Sequence, residues 1–390
     1  MAGWYIRAVA RCIVIGAGMA GTAAADALAA AGVDVTVLEM QDRVGGRVWS
    51  ERMATGALIE RGGEFITNDY DTTDAFVERL GLAYDGMGIR YPDRELRPDP
   101  GIDREAALAY AARVAEAAAV DPTAPALSVL DAVVDDPAIH ELFASRMQSS
   151  RSYPIEGIEA GSLGHLEYLL GDEETRRVRG GNQLIAERLA DGLDVRFGER
   201  VRAVRHSDTG VEVETDAGVH TADACVVAVP VSIVLDIAFD PPLPDAHVAA
   251  IRGLRFGAAA KLAAPLAEPV APDAIMSTAD RFWAYTSPCD EVGGRTLGSW
   301  AGAQPVVDLV LDGWVERIRA FWPELPAVDE SAAVITTWTA DDWARGSYSV
   351  VTQVDADGLH PSARPVGRIA FAGEHTAPEG WTATIEGALR

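Results

Sequence analysis

The run Gly16-Ala17-Gly18-Met19-Ala20-Gly21 spaces three glycines as GxGxxG, and Glu39 follows it at the distance expected of an acid closing a second strand. These residue types suit dinucleotide binding. Gly16 makes a tight turn, Gly18 lets bare backbone approach a pyrophosphate, and Gly21 lets a helix pack close to a strand. The N-terminus of that helix offers free N–H groups and the positive end of its dipole to phosphates. Glu39 is placed to accept hydrogen bonds from ribose hydroxyls. Lys261 is a second residue that invites a chemical reading, because it is the only lysine among the 33 Lys and Arg of the chain. Arginine does not release its proton, whereas lysine is compact and shifts its pKa readily. A single lysine in an arginine-rich chain therefore points to a chemical role.

The flanking residues supply the elements that must hold these groups. Cys12 to Ile15 is a short apolar run with β-branched residues and reads as a buried strand. Thr22 to Ala31 is alanine-rich and reads as a helix ended by Gly32. Val33 to Leu38 reads as the second strand, with Glu39 at its end. Next comes Arg43-Val44-Gly45-Gly46-Arg47, whose glycines let the backbone run along a ligand while Arg47 balances pyrophosphate charge. Val201 to Val204 and Val211 to Thr215 alternate like the strands of a hairpin. Glu105 to Val120 is spaced as a helix rather than a linker.

In this order, GxGxxG, Glu39 and Gly45-Gly46-Arg47 resemble the FAD-binding start of the flavin amine oxidase superfamily. Further blocks match that family. Glu60-Arg61-Gly62-Gly63-Glu64-Phe65-Ile66 is similar to a segment passing near the flavin ring. Arg179-Gly180-Gly181 resembles the start of a helix returning to the FAD domain. Cys225 to Pro230 resembles a strand ending near the cofactor. Arg368 to Thr376 with Gly380 to Ala388 resembles the second FAD signature. The resemblance implies FAD contacts from Gly16, Gly18, Ala20, Gly21, Glu39, Gly46, Arg47, Gly63, Glu64, Val201, Gly373, Glu374 and Thr384. Val201 would lie against the adenine, and Gly373 and Glu374 would meet the ribityl-phosphate part. A helix opening near Ala383 would aim its positive end at the flavin and stabilise its reduced anion. His375 reads as a structural member of that block.

The same resemblance assigns the reacting end to Lys261, Trp338, Tyr348 and Thr384. Lys261 would hold a water against flavin N5, Trp338 would lie beside the flavin, and Tyr348 would face the substrate amine. Ser347 stands where mitochondrial monoamine oxidases carry the cysteine that bonds the flavin, so non-covalent FAD is expected. Thr384 replaces the second cage tyrosine of those enzymes, which is closer to polyamine-oxidase and histone-demethylase patterns. The chain stops at Arg390, inside what the resemblance implies is a continuing helix.

Length and composition bound the rest. A chain of 390 residues with 48% hydrophobic content suits two domains with a sizeable core. A net charge of −26 repels phosphate, which argues against nucleic acid and anionic membranes as partners, and it attracts cations such as protonated amines. Cys12, Cys225 and Cys289 are odd in number and lack CxxC spacing; Cys12 and Cys225 sit in apolar strand-like runs and read as buried thiols, and a reducing cytoplasmic setting with no metal site is expected. Arg7 and Arg11 before an apolar run mimic a signal peptide, but the glycine series inside that run reads as structure. No stretch is long and apolar enough to span a bilayer.

The expected fold is α/β: a Rossmann-type, glutathione-reductase-like FAD domain (1–68, 176–240 and 331–390) with a mixed α+β substrate domain (69–175 and 241–330). The expected function is FAD-dependent oxidation of a small-molecule primary or secondary amine to an imine, which hydrolyses, with oxygen reduced to hydrogen peroxide. An L-amino-acid oxidase or C–C desaturase of the same superfamily stays open, as does a flavin-binding protein without turnover. The amino-acid reading needs a cation for the carboxylate; Arg52, Arg90 and Arg151 are available, and no motif selects among them. A homodimer is compatible with the sequence, which does not fix the oligomeric state.

Overall fold

The structure, a computed structural model, describes residues 9–171, 173–350, 359–378 and 380–390. Arg7 lies outside the described residues.

A five-stranded sheet forms the first half of the molecule. Its order is Ile369–Phe371, Ala224–Val227, β1 (Arg11–Ile15), β2 (Asp34–Leu38) and Asp194–Arg196, and every neighbouring pair is parallel. Both faces are covered, which is why β1 is apolar from Cys12 to Ile15 instead of alternating. Cys12 and Val14 face a helical layer that includes α1 (Met19–Ala30) and the helix Leu184–Ala190. Ile13 and Ile15 face the opposite layer, an antiparallel hairpin of Val201–His206 and Val211–Thr215 extended on either side by Val219–Ala222 and Ala238–Asp240. Ile15 is 2% exposed, and its truncation to alanine is expected to cost about 2–5 kcal/mol. Helix α1 begins at Met19, three residues before the start expected from its alanine content, so its first turn lies within the glycine series.

The second half is built on a six-stranded sheet ordered Val334–Thr337, Ala259–Pro265, Thr296–Gly302, Phe282–Thr286, Asp273–Ser277 and Glu95–Leu96. Its pairs are antiparallel except the last, which is parallel. Ala260, Leu262 and Ala264 pack into one core with the helices Gln304–Leu311 and Trp314–Phe321. Strand alternation therefore turns Lys261 to the other face, beside its cross-strand neighbour Trp300. A lobe of α3 (Arg104–Val120), α4 (Ala126–Val133) and α5 (Pro137–Arg151) completes this half. Asp103 and Asp136 cap α3 and α5, each accepting two backbone N–H bonds. Ser152, at a left-handed φ of 52°, ends α5.

Three segments sit apart from the boundaries expected above. Helix α2 (Asp71–Arg79), assigned to the substrate side, packs Val77 into the core of α1 and receives the Glu386 carboxylate on the N–H groups of Thr72 and Thr73. The helix Asp245–Gly253 likewise packs Ile251 on the parallel-sheet side. The strand Val334–Thr337, assigned to the FAD side, is hydrogen-bonded into the six-stranded sheet. Those boundaries followed motif blocks, whereas packing follows the apolar faces.

All three cysteines are free and buried, and burial pushes the Cys12 thiol up to about 11. Among the described residues, no helix is long and apolar enough to cross a membrane.

Candidate active site

One cavity of about 590 Å³ runs between the two halves. Gly16, Gly18, Ala20, Glu39, Gly46, Arg47, Gly63, Glu64, Val201, Trp338, Tyr348, Gly373, Glu374 and Thr384 all line it. Gly21 and Lys261 do not.

At the nucleotide end, Gly16 has φ 101°, a conformation that favours glycine. A Cβ at Gly21 would collide with the Gly16 carbonyl oxygen, so Gly21 serves packing rather than contact. Gly18 faces Gly46 so closely that a Cβ on Gly46 would lie 3.1 Å from the Gly18 Cα, which leaves a bare backbone cradle. Gly18 caps α1 without a side-chain hydrogen bond, and its first turn holds no acidic residue. The N–H groups opening α1 are thus available to an anion. Glu39 accepts from Ala17 N–H at 2.7 Å and Gln41 N–H at 2.8 Å, one bond on each oxygen. Burial raises its pKa, and those N–H groups and Arg43 partly oppose the shift. Each oxygen keeps a lone pair for a hydroxyl donor. The bare cradle, the open helix end and the acid fit the pyrophosphate and ribose of a dinucleotide.

At the middle, Glu374 acts as a hub. It accepts from Arg47 Nη1 at 3.0 Å, Ser349 N–H and Oγ at 3.1 and 2.6 Å, and Ala383 N–H at 3.0 Å. Burial raises its pKa, but Arg47, His375 and these donors hold the carboxyl below its ordinary range. Arg47 also donates to the Ser347 carbonyl at 2.8 Å. Glu374 therefore ties three segments together around the cavity. The Ser347 Oγ is buried without a partner.

At the far end, Trp338 is held by an Nε1 bond to the Arg61 carbonyl at 3.0 Å. The Tyr348 hydroxyl donates to the Ser150 carbonyl at 2.7 Å and meets Ser152 Oγ at 2.7 Å. Its ring lies parallel to Trp300, with centroids 6.4 Å apart and 5° between planes. Burial pushes the Tyr348 phenol up, so it stays protonated. Thr384 caps the short helix Ile385–Leu389: its Oγ1 accepts from Gly387 N–H at 2.8 Å and donates to the Trp381 carbonyl at 2.6 Å. Its hydroxyl is thus committed to the backbone.

Lys261, expected to hold a water against the flavin, lies behind the wall of the main cavity. Its Nζ donates to Glu64 Oε2 at 2.5 Å and to the Gly62 carbonyl at 3.1 Å. It lines a separate cavity of about 30 Å³, and Glu64 lines both cavities. That volume is enough for a water molecule. Arg177 at 3.3 Å and the Tyr285 hydroxyl at 2.5 Å also bind Glu64. Burial raises the Glu64 pKa, but Lys261 and Arg177 outweigh it and hold the carboxylate below its ordinary range.

Sequence motifs did not single out Tyr91, Arg151, His165, Tyr168, Trp300 or Trp381, which complete the wall at this end. Tyr91 is in a loop, and His165 and Tyr168 lie on 3-10 turns, where no periodicity marks a site. Trp300 had one usable signal, its cross-strand register with the lone lysine, and that requires knowing the strand pairing.

The model of the family described as flavin containing amine oxidoreductase matches residues 19–110 and 140–390. Lysine-specific histone demethylase 2 of Homo sapiens is 26% identical over 417 residues, covering 93% of this chain and 50% of the demethylase. The chain therefore spans about half the length of that relative. Putrescine oxidase of Kocuria rosea is 30% identical over 455 residues, covering 97% of this chain and 92% of the oxidase. A solved structure of putrescine oxidase bound to putrescine has the same fold, with a TM-score of 0.81, 23% identity and coverage of 97% and 96%.

Proposed function

The chain belongs to the flavin containing amine oxidoreductase family, and from that premise we propose that it is an FAD-dependent oxidase of a small-molecule amine, with oxygen as electron acceptor. The observation that carries this reading is the single cavity linking the nucleotide cradle at Gly16, Gly18 and Glu39 to the aromatic walls at Trp338 and Tyr348.

Bound FAD supplies the acceptor for a hydride equivalent from the carbon next to the amine nitrogen. The protein contributes position and field. Gly16, Gly18, Gly46 and the start of α1 hold the pyrophosphate, and Glu39 holds the ribose. Arg47 and Glu374 fix the central segments. FAD is held without a covalent bond, since Ser347 offers a hydroxyl in place of a thiol. Trp338 and Tyr348 are locked by their own hydrogen bonds and present aromatic surface that orients a neutral amine. Lys261 spends two donors on Glu64 and Gly62, which leaves its third N–H for a water in the adjoining small cavity. That water and the buried positive charge serve the oxygen half-reaction.

The test is anaerobic flavin absorbance during titration with monoamines, diamines, polyamines and amino acids. Bleaching by one class is the expected result. A stable yellow protein that no amine bleaches would refute amine oxidation and favour a desaturase or a flavin-binding protein without turnover.

A further inference from the structure

Arg151 lies on the wall at the far end of the cavity, with Arg94 and Arg146 behind it, in a protein whose net charge is −26. Helix α5 ends there, bringing Met147, Ser150 and Arg151 to the cavity wall. The Arg151 guanidinium makes no hydrogen bond or ion pair with any described residue. Its charge acts on Tyr348, Tyr91 and His165, all of which line the same space. The C-terminal dipole of α5 partly compensates a cation at this position, but it does not engage the donor fork of a guanidinium.

A second layer reinforces the charge. Arg94 and Arg146 are 6% and 3% exposed and pack against the Tyr91 ring at 4.5 and 5.8 Å. Among the described residues neither forms an ion pair: both donate to the Tyr91 carbonyl, Asp93 acts on Arg146 only at longer range, and Arg94 Nη2 is buried without a hydrogen bond. Acids on this part of the wall do not cancel these charges. Glu64 is already held by Lys261 and Arg177, and Asp69 is exposed. His165 is kept neutral, first by burial and then by Arg151.

Arg151 is half-buried and open to the cavity, and a guanidinium in such a recess with no ion-pair partner gains from a bound anion. We propose that Arg151 is a substrate-binding residue that recognises a carboxylate, so that the amine substrate of this site is an amino acid or another aminocarboxylate. This rests on the amine-oxidation reading above and names its substrate class. One free planar fork against aromatic walls suits a carboxylate, which it holds with two parallel bonds. The same charges repel the second ammonium of a diamine, which separates this chain from the activity in the name of its putrescine-oxidase relative.

The test is calorimetric titration of the FAD-loaded protein with butanoate, hexanoate, phenylacetate and 3-phenylpropanoate, each against its neutral primary amide. At least one acid is expected to bind about tenfold or more tightly than its amide. Arg151→Gln is expected to abolish that preference and Arg151→Lys to retain part of it, with FAD content unchanged in both. Equal binding of every acid and its amide, no binding by any acid, or a preference that survives Arg151→Gln overturns the proposal. This readout needs no turnover, so failure of amine oxidation itself shows separately, as flavin that no amine bleaches. In the same titration 4-aminobutanoate should bleach flavin faster than putrescine, and phenylalanine faster than phenethylamine; the reverse order in both pairs also overturns the proposal.

Discussion

Lys261 Nζ lies 2.5 Å from Glu64 Oε2, with side-chain exposures of 5% and 4%. The lone lysine of the chain is thus half of a buried ion pair, and Arg177 and Tyr285 complete its surroundings through the same carboxylate. Two roles are superimposed at this pair: it bonds the six-stranded sheet to the Gly62-Gly63-Glu64 turn, and it places a positive charge beside the main cavity.

Separating those roles needs two variants. Lys261→Met removes one of the two cations on Glu64 while Arg177 remains, and is expected to destabilise the protein, read as a lower urea midpoint. It should also slow flavin reoxidation by oxygen in stopped-flow absorbance. Glu64→Gln breaks the same pair but keeps the lysine; it should also lower the midpoint, since it strips Arg177 of its carboxylate, while retaining more of the oxygen rate. Unchanged oxygen kinetics in Lys261→Met would remove the lysine from that half-reaction.

Gly21→Ala tests the nucleotide cradle. Its Cβ meets the Gly16 carbonyl, so helix and strand must separate at a cost of at least about 1–3 kcal/mol. The purified protein should show a lower ratio of flavin to protein absorbance and a lower Tm. Gly164→Ala, where a Cβ meets nothing within 4 Å, is the control expected to match the parent.

Glu39→Gln tests the ribose acceptor. An amide presents an NH2 group to either Ala17 N–H or Gln41 N–H and loses one charged acceptor. The Kd for FAD should rise about 10- to 100-fold, as expected when a bond to a charged group worth about 1.5–3 kcal/mol is lost. An unchanged Kd by fluorescence titration would show that Glu39 only braces the turn.

His375 predicts the acid side of the stability profile. Burial lowers its pKa from 6.5 to about 4. The folded state holds the neutral ring, so this stabilising contribution is present above pH 6.5 and fades as the pH falls toward 4. The slope approaches about 1.4 kcal/mol per pH unit inside that window. Chemical denaturation from pH 7.5 to 4.5 should show this loss, and His375→Gln should flatten it. Equal slopes in the two proteins would show that other groups dominate.

The sequence was most informative where local rules act alone. The strand–glycine–helix–strand unit from Arg11 to Glu39 follows from apolar runs and glycine spacing, and the structure forms it with the helix start displaced by three residues and the other ends by at most one. The hairpin Val201–His206 with Val211–Thr215 was equally legible from alternation. Lys261 stands out in the sequence by its rarity, yet its partner Glu64 is 197 residues away and no local signal joins them. Arg151 was one of three arginines without distinction in the sequence. Its lack of a partner is a property of its surroundings, which only the packed structure reveals. The packing of α2 and Asp245–Gly253 and the pairing of Val334–Thr337 share that cause, since each is decided by a distant partner face or strand.

The hub at Glu374 has a consequence for biogenesis. Arg47 reaches Ser347 across 300 residues and Glu374 across 327, and Thr73 reaches Glu386 across 313. A polypeptide emerging from the ribosome can form β1, α1 and β2 early, but it cannot close the chamber until the Gly373–Glu386 stretch has left the exit tunnel. Closure of the cofactor chamber therefore waits for the Gly373–Glu386 stretch to be made. The vitamin-derived ligand then acts as a clasp between early- and late-synthesised parts, so flavin starvation should leave an open precursor vulnerable to proteases.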